Sequence, residues 1–91
     1  KMKKQTYNGW ANYETWLVNL WLTEDPYTEE LISEWAKEMT DYKLAQTLED
    51  YVDDMADAED IRSGLIQDLI KAAMSEVDWE ELAQHYIEDY R

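Results

Sequence analysis

The clearest helix signal in the chain is the stretch VDWEELAQHYIEDY, Val77–Tyr90. Asp78 followed three residues later by Glu81 is a capping-box pattern, in which the two side chains satisfy backbone N–H groups at the start of a helix. Val77 and Leu82 stand at the positions of a hydrophobic staple around that cap. The sequence therefore predicts a helix over about Trp79 to Tyr90, with one apolar side turned inward.

The opposite end of the chain predicts a turn followed by another helix. The pair Asn8-Gly9 readily takes positive φ and so favours a turn, and Asn12 is a suitable N-cap. A helix over about Tyr13 to Thr23 should follow, because apolar residues recur at i, i+1, i+4 and i+5 from Trp16 onward. Val18 and Leu22 widen this apolar stripe, so we expect the first helix to be the most buried.

Three more helices are predicted between these two. Asp25-Pro26 is a start signal, because proline suits the first position of a helix, and the second helix runs to about Met39. Thr40 or Asp41 caps the third, over about Tyr42 to Ala58. The fourth runs from about Glu59 to Ser75, although no Gly or Pro separates it from the third and their boundary stays open. Its expected inward residues are Ile61, Leu65, Ile66, Leu69 and Ala73, and Gly64 is interpreted as the mark of a close helix crossing.

The fold class follows from these elements and from the size of the chain. No segment shows sustained two-residue alternation, so the sequence predicts an all-α fold, a compact single-domain bundle of four or five short helices over residues 1–91. Five Trp and seven Tyr can supply much of its core. Area scaling predicts about 5,600 Å² of exposed surface. Lys1, Lys3 and Lys4 precede the first acid, which suggests a flexible basic tail over about residues 1–7.

The residue inventory argues against catalysis, metal binding and cofactor binding. The chain has no cysteine and a single histidine, His85, with Glu81 one helical turn before it and within possible contact. Such a histidine is typical of an exposed or edge position, and no nucleophile is placed to use it. The aspartates between residues 50 and 60 lack the central glycine and alternate spacing of a calcium loop. We therefore expect no enzymatic activity, no metal and no cofactor.

The charge balance restricts the partners that this chain can bind. It holds 8 Lys and Arg against 22 Asp and Glu, for a net charge of −14. Direct binding of nucleic acid needs a basic surface, and anionic lipid is disfavoured for the same reason. No apolar run is long enough to span a membrane. Together with the absence of cysteine, these observations favour a cytoplasmic protein that binds neither nucleic acid nor membrane.

The most informative feature is an acidic run without any basic residue. Seven acids fall within twelve residues, which corresponds to about 18 Å of helix. Duplex DNA presents one charge per about 1.7 Å of its axis, so the protein run is sparser but comparable. It is either a solvated face that confers solubility or a surface that attracts a basic cleft. The residues assigned to partner binding are Glu49, Asp50, Asp53, Asp54, Asp57 and Asp60, and Glu59 belongs to the same run.

Two stretches resemble a family of uncharacterised small proteins from phages, plasmids and other mobile elements. The first, Asn8–Leu22, looks like a signature of the form N-G-W-x-N-x-E-T-W-x-V-x-x-W. The second, Leu69–Ala83, resembles a family pattern that ends in E-V-N-W-x-E-I-A, whereas the middle of the chain is unmatched. The resemblance implies an origin in a mobile element and suggests a role against host machinery. It assigns no chemistry, and the tryptophans of both stretches are interpreted as core anchors.

Two functional hypotheses follow from the sequence. In the first, the chain is an inhibitor that occupies the nucleic-acid groove of a basic host protein with its acidic helix face, as an anti-defence mimic of nucleic acid. In the second, it is a small structural or assembly adaptor, or a homo-oligomeric module, that uses aromatic side chains as interface anchors. The sequence leaves the oligomeric state open.

Overall fold

The computed structural model describes residues 7–60 and 63–91, and the regular structure of these residues is helical apart from one isolated β-bridge. The predicted all-α bundle is confirmed. The basic tail predicted over residues 1–7 lies outside the described residues except for Tyr7. The helices are α1 (Tyr13–Glu24), α2 (Pro26–Glu38), α3 (Asp41–Ala58), α4 (Gly64–Ser75) and α5 (Trp79–Tyr90).

The turn before α1 forms as its sequence predicts. Asn8 and Gly9 both have positive φ, 51° and 88°, which is the backbone of a type I′ turn. Tyr7 and Trp10 exchange backbone hydrogen bonds of 2.7 and 2.8 Å across it. The turn thereby places Trp10 in the core, where this residue is 9% exposed.

Helix α5 is the centre of the bundle, because it packs against α1, α2 and α3. Its Leu82, Ala83 and Tyr86 are almost completely buried, at the i, i+1 and i+4 positions of one face. Each of the two neighbouring helices α2 and α3 presents a similarly short buried stripe to it. Those stripes are Ile32 and Ala36 on α2, and Leu44, Ala45 and Leu48 on α3.

The prediction that the first helix is the most buried is confirmed only in part, because α1 has few exposed residues but also few fully buried ones. Only Thr15 and Leu22 of α1 are buried, and Trp21 is 68% exposed. Apolar residues occupy nearly every side of α1, so they cannot all face one core. Trp16 and Val18 pack partly against the core while Trp21 points into solvent.

The fourth helix also departs from its prediction. Helix α3 ends at Ala58, because Asp60 takes the left-handed conformation with φ of 55° that often terminates helices. Helix α4 begins only at Gly64, where Ser63 caps it by accepting a hydrogen bond from the N–H of Ile66. A Cβ added at Gly64 would meet nothing within 4 Å, so this glycine marks no helix crossing.

The apolar side of α4, expected to face inward, faces solvent instead. None of its residues is buried, and Leu65, Ile66 and Leu69 are 68, 43 and 56% exposed. Ala73 is exposed too, and Ile61 lies outside the described residues. The accessible surface of the chain, 6565 Å², is larger than the roughly 5,600 Å² that scaling predicts.

Two tyrosines of α5 tie it to other helices through their hydroxyl groups. The Tyr86 hydroxyl donates to Asn19 Oδ1 of α1 over 2.8 Å, and the Tyr90 hydroxyl donates to Glu29 Oε2 of α2 over 2.9 Å. Burial raises the pKa of Tyr86 above its ordinary value. Burial, followed by the hydrogen bond to Glu29, raises the pKa of Tyr90 to about 12.

The raised tyrosine pKa values predict a loss of stability in alkali. A tyrosine whose pKa is higher in the folded than in the unfolded chain stabilises the fold fully below pH 10, and this contribution falls as the pH rises from 10 toward 12. Thermal melting followed by circular dichroism should therefore show a falling Tm over that interval. Tyr90→Phe should reduce the fall, whereas Tyr27→Phe, at an exposed position, should not. A Tm fall that is equal in both variants would contradict this assignment.

Candidate functional site

The acidic residues of α3 form one face of that helix, opposite its buried stripe. At 100° per residue, the five acids from Glu49 to Asp57 fall within an arc of about 140°, centred opposite the stripe that includes Leu44 and Leu48. All of these acids are exposed. We call this set the acidic face; it consists of Glu49, Asp50, Asp53, Asp54 and Asp57.

The predicted acidic run is therefore interrupted at its end. Glu59 is the C-cap of α3, and the left-handed backbone at Asp60 takes it off the helical path. Asp60 instead lines a cleft of about 260 Å³ between the end of α3 and α4, together with Asp53 and Asp57. Of the six residues assigned to partner binding, five share the acidic face and Asp60 lies beside its end.

The acidic face has little local compensation. None of its five acids forms an ion pair with a Lys or Arg in residues 7–60 and 63–91; one basic side chain, Lys71 of α4, lines the cleft at its end. The last turn of α3 contains no basic residue, although helix C-termini carry partial negative charge. The negative charge of Asp57 in this last turn is therefore unfavourable for the helix. The placement of acids on this face does not serve the stability of the fold.

His85 is exposed, as its sequence position predicted, but its contacts differ from those expected. Its Nε2 lies 3.1 Å from Asp89 Oδ2, one turn after it rather than before, and its ring packs against Trp10 with centroids 4.7 Å apart. Glu81 is not its partner, because Glu81 Oε1 accepts a hydrogen bond from the backbone N–H of Ala11. The histidine is exposed and serves as a cover on the Trp10 ring.

Metal binding and membrane crossing can also be judged from the described residues. Within residues 7–60 and 63–91, no three His, Asp or Glu side chains are grouped so that they could hold a metal ion. No helix in this part of the chain is both long and apolar enough to cross a membrane.

A buried polar cluster joins the start of α1 to the start of α5. The Thr15 hydroxyl, which is fully buried, donates to Asn12 Oδ1 over 2.6 Å and accepts from the Asp78 N–H over 2.9 Å. Asn12 Nδ2 in turn donates to the carbonyl of Glu76 over 2.6 Å. The hydrogen bond from the Ala11 N–H to Glu81 belongs to the same cluster, which we call the latch. Its long-range bonds join residues more than sixty positions apart in the sequence.

The latch is built from residues of two stretches, Asn8–Leu22 and Leu69–Ala83, on which the sequence resemblance to a family rests. Residues 3–90 match DUF7249, a family of unknown function. The chain belongs to this family. Comparison with curated proteins and with solved structures gave no match. Family membership therefore assigns no activity, and the geometry shows that the two matching stretches meet within the fold.

Thr15 is a structural residue that the sequence patterns did not indicate. The capping box predicted for α5 is incomplete locally: Asp78 accepts from the N–H of Glu81 over 3.0 Å, but Glu81 does not reach back to Asp78. Their remaining groups bond instead to Thr15 and Ala11. The sequence does contain one signal for Thr15, because it stands three residues after the N-cap Asn12. That spacing predicts the hydrogen bonds between Thr15 and Asn12, which are the local half of the latch.

The latch predicts a specific loss of stability on removing one hydroxyl group. Thr15→Val keeps the shape of the side chain but leaves the Asp78 N–H without its partner, whereas Asn12 Oδ1 keeps its hydrogen bond from the backbone N–H of residue 15. An unsatisfied buried group costs about 1–3 kcal/mol, and about 1 kcal/mol shifts Tm by roughly 4–8 °C in a domain of this size. Thr15→Ser, which retains the hydroxyl, is the control for calorimetric melting and should lose less. Equal Tm values for the two variants would contradict the latch.

The uncompensated charge predicts a salt-stabilised fold. Repulsion among the acids destabilises the folded state, and added salt screens it over a Debye length that is about 10 Å at 0.1 M. We expect Tm to rise between about 10 and 300 mM NaCl, and to rise less in a variant in which the acidic face is replaced by amides. A Tm that stays constant over this range would mean that the repulsion is negligible.

Proposed function

We propose that this chain is a non-enzymatic acidic binding protein that inserts the acidic face of α3 into a basic, nucleic-acid-binding groove of a host protein. The observation that carries the proposal is the acidic face itself, five exposed carboxylates without a Lys or Arg partner among the described residues, on one side of one helix. The partner would be a protein such as a defence nuclease or a restriction complex, and the chain would exclude its nucleic acid by occupying the same groove.

The spacing of the charges supports this proposal. Eight residues of helix separate Glu49 from Asp57, about 12 Å at 1.5 Å per residue, and five carboxylates lie along this length. That density approaches one phosphate charge per about 1.7 Å of duplex axis. A groove lined with Lys and Arg would meet a row of negative charge, and the field of the whole molecule can raise association rates by about 10–10³.

The total charge of the chain also supports the proposed binding to a basic groove. A net charge of about 2–8 in magnitude is enough to keep a small domain soluble, and this chain carries −14. All 22 acids except Glu14, Asp78 and Glu81 are exposed. The resemblance to proteins of phages and plasmids adds a context: such a protein, encoded by a mobile element, would act in the cytoplasm against a defence system of the host.

The first experiment neutralises the acidic face without changing its shape. The chain is immobilised, and bound proteins from a bacterial lysate are measured between 50 and 500 mM NaCl. At low salt, a variant with five amides in place of the acids should capture its partner at least tenfold more weakly. This variant combines E49Q, D50N, D53N, D54N and D57N.

A matched control keeps the net charge change and moves it elsewhere. Five exposed glutamates on other helices are replaced by glutamine, and this variant should retain most of the binding. The control combines E24Q, E30Q, E34Q, E38Q and E88Q. Equal losses in both variants, or capture that is insensitive to salt, would contradict the proposal.

Competition by nucleic acid then tests the nature of the groove. Excess duplex DNA or RNA should release the captured partner at constant ionic strength, because both ligands would occupy one site. An equal charge of unstructured polyglutamate should release much less. A partner that remains bound in the presence of saturating nucleic acid would show that the acidic face binds elsewhere.

The adaptor reading remains a second candidate because large apolar side chains are exposed. Trp21 and Tyr27 are each 68% exposed, and Tyr42 is 64% exposed; Tyr and Trp are enriched in the cores of interfaces. Light scattering distinguishes the two functions. A mass well above 10.9 kDa that survives charge reversal of Asp53, Asp54 and Asp57 favours the adaptor, whereas an inhibitor should lose its binding on this reversal.

A further inference from the structure

A second cleft lies at the N-terminal end of the acidic face, between the first half of α3 and the connection from α4 to α5. Its volume of about 540 Å³ is within the range of about 300–1,000 Å³ that is typical of ligand sites. Two aromatic and four acidic residues line it, and we call it the aromatic cleft. These six residues are Tyr42, Trp79, Glu49, Glu76, Asp78 and Glu80.

The aromatic cleft is continuous with the acidic face, because Glu49 belongs to both. Tyr42, Gln46 and Glu49 line the cleft from α3. At 100° per residue, these three and Asp53 of the acidic face fall within an arc of about 60° on the helix. A partner that lies along the acidic face therefore reaches the cleft without turning around α3.

The charges around the cleft favour a cation. The described residues that line it include no Lys or Arg. The start of α5 carries a partial positive charge of about half a unit, which the cap Asp78 and the first-turn Glu80 more than offset. Glu76 stands at the end of α4, where the helix dipole is itself negative. The cleft is therefore negative overall.

The arrangement of the acids favours an organic cation over a metal ion. In residues 7–60 and 63–91, no three His, Asp or Glu side chains are grouped so that they could hold a metal ion, so the carboxylates of the cleft do not converge on one small ion. Organic cations are also attracted to the faces of Trp and Tyr rings. The cleft offers both kinds of group to a ligand.

The aromatic side chains of the cleft are accessible to such a ligand. Tyr42 is 64% exposed and Trp79 is half-buried. Gln46 Nε2 donates a hydrogen bond of 3.2 Å to the Tyr42 hydroxyl, which holds this ring alongside α3. An arginine guanidinium suits these surroundings, because it stacks on aromatic rings and donates two parallel hydrogen bonds to one carboxylate. The ammonium of lysine is more strongly hydrated and has no such fork.

We propose that the aromatic cleft receives one arginine side chain of the partner protein, whose further Lys and Arg residues contact the acidic face. The guanidinium would contact the Tyr42 and Trp79 rings and donate to the carboxylates around them. This inference rests on the proposed function and specifies one side chain of the partner that the acidic face alone does not. A second copy of the chain would bring another net charge of −14 and would be repelled.

The test uses the intact chain and three synthetic peptides of the form X-G-K-G-K-G-K-G-K. Position X is arginine in the first, lysine in the second and citrulline, the uncharged isostere of arginine, in the third. At 150 mM NaCl, fluorescence anisotropy should show the arginine peptide binding at least fivefold more tightly than either of the others. Because the arginine and lysine peptides carry the same charge, equal binding of these two would overturn the inference.

NMR determines where the arginine peptide binds. The indole N–H resonance of Trp79 should shift as the peptide is added, whereas that of the exposed Trp21 on α1 should not. A Trp79 resonance that stays in place while the peptide binds would show that its arginine lies outside the cleft.

A tyrosine variant tests the wall of the cleft. Tyr42→Ser removes an exposed ring, and it should reduce the preference for the arginine peptide over the lysine peptide to less than twofold. The matched control is Tyr27→Ser, which removes an exposed ring from α2 and should leave this preference unchanged. Equal preferences in the two variants would contradict the proposed site.

An acid variant separates this inference from the proposed function. The variant D50N/D53N/D54N/D57N leaves every residue that lines the aromatic cleft in place, and it should weaken all three peptides while the preference for arginine remains. If it weakens them and the native chain shows no such preference, the cleft is wrong and the acidic face stands. If it binds all three as tightly as the native chain does, the proposed function fails.

Two other occupants of the cleft would give distinct results. A shift of the Trp79 resonance by the polyamine spermidine, at a lower concentration than the arginine peptide requires, would identify a free organic cation as the occupant. A dimer whose mass on light scattering depends on protein concentration, and which Tyr42→Ser abolishes, would identify a second copy. Either result would overturn the proposal of a partner's arginine.

Discussion

The fold depends on the hydroxyl group of Thr15, which joins the beginnings of two helices that are distant in sequence. Every helix starts with backbone N–H groups that lack partners within the helix. Here α1 uses Asn12 and α5 uses Asp78 for this purpose, and Thr15 connects the two caps through a hydrogen bond at each side. Because α5 also packs against α2 and α3, the latch joins α1 to the helix around which the rest of the core is assembled.

The latch separates the structural part of the sequence from the part that is available for binding. The stretches Asn8–Leu22 and Leu69–Ala83 supply Asn12, Thr15, Asp78 and Glu81, and the polar groups of these residues are engaged inside the fold. The carboxylates of the acidic face have no such engagement. The polar side chains of the tryptophan-rich stretch therefore hold the protein together, although its Trp21 is exposed, whereas the acids of the acidic face lie in the middle of the chain.

Local patterns in the sequence predicted the parts of the fold that depend on neighbouring residues. The turn at Asn8-Gly9, the start of α2 at Pro26 and the bounds of α5 are confirmed, because each is decided by residues within one turn. The latch was missed because a capping box is normally closed within its own helix. The orientation of α4 was wrong for a related reason: periodicity shows that an apolar stripe exists, but it does not show whether the same chain covers it. The acidic face was predicted correctly as far as the helix extends, and Asp60 departs from it because a left-handed residue ends α3.

The proposed contribution of the acidic face concerns the rate of association more than the strength of the complex. Charge acts at a distance and mainly increases the rate of encounter, whereas differences in affinity between related complexes arise mostly in the dissociation rate. The acidic face can therefore bring a basic groove to the molecule, but screened surface charges hold it weakly. Burial of exposed apolar side chains, such as Trp21 or Leu65, does not depend on ionic strength to the same degree. The proposed competition with nucleic acid would need both a fast approach and a slow release, so it requires contacts beyond the acidic face.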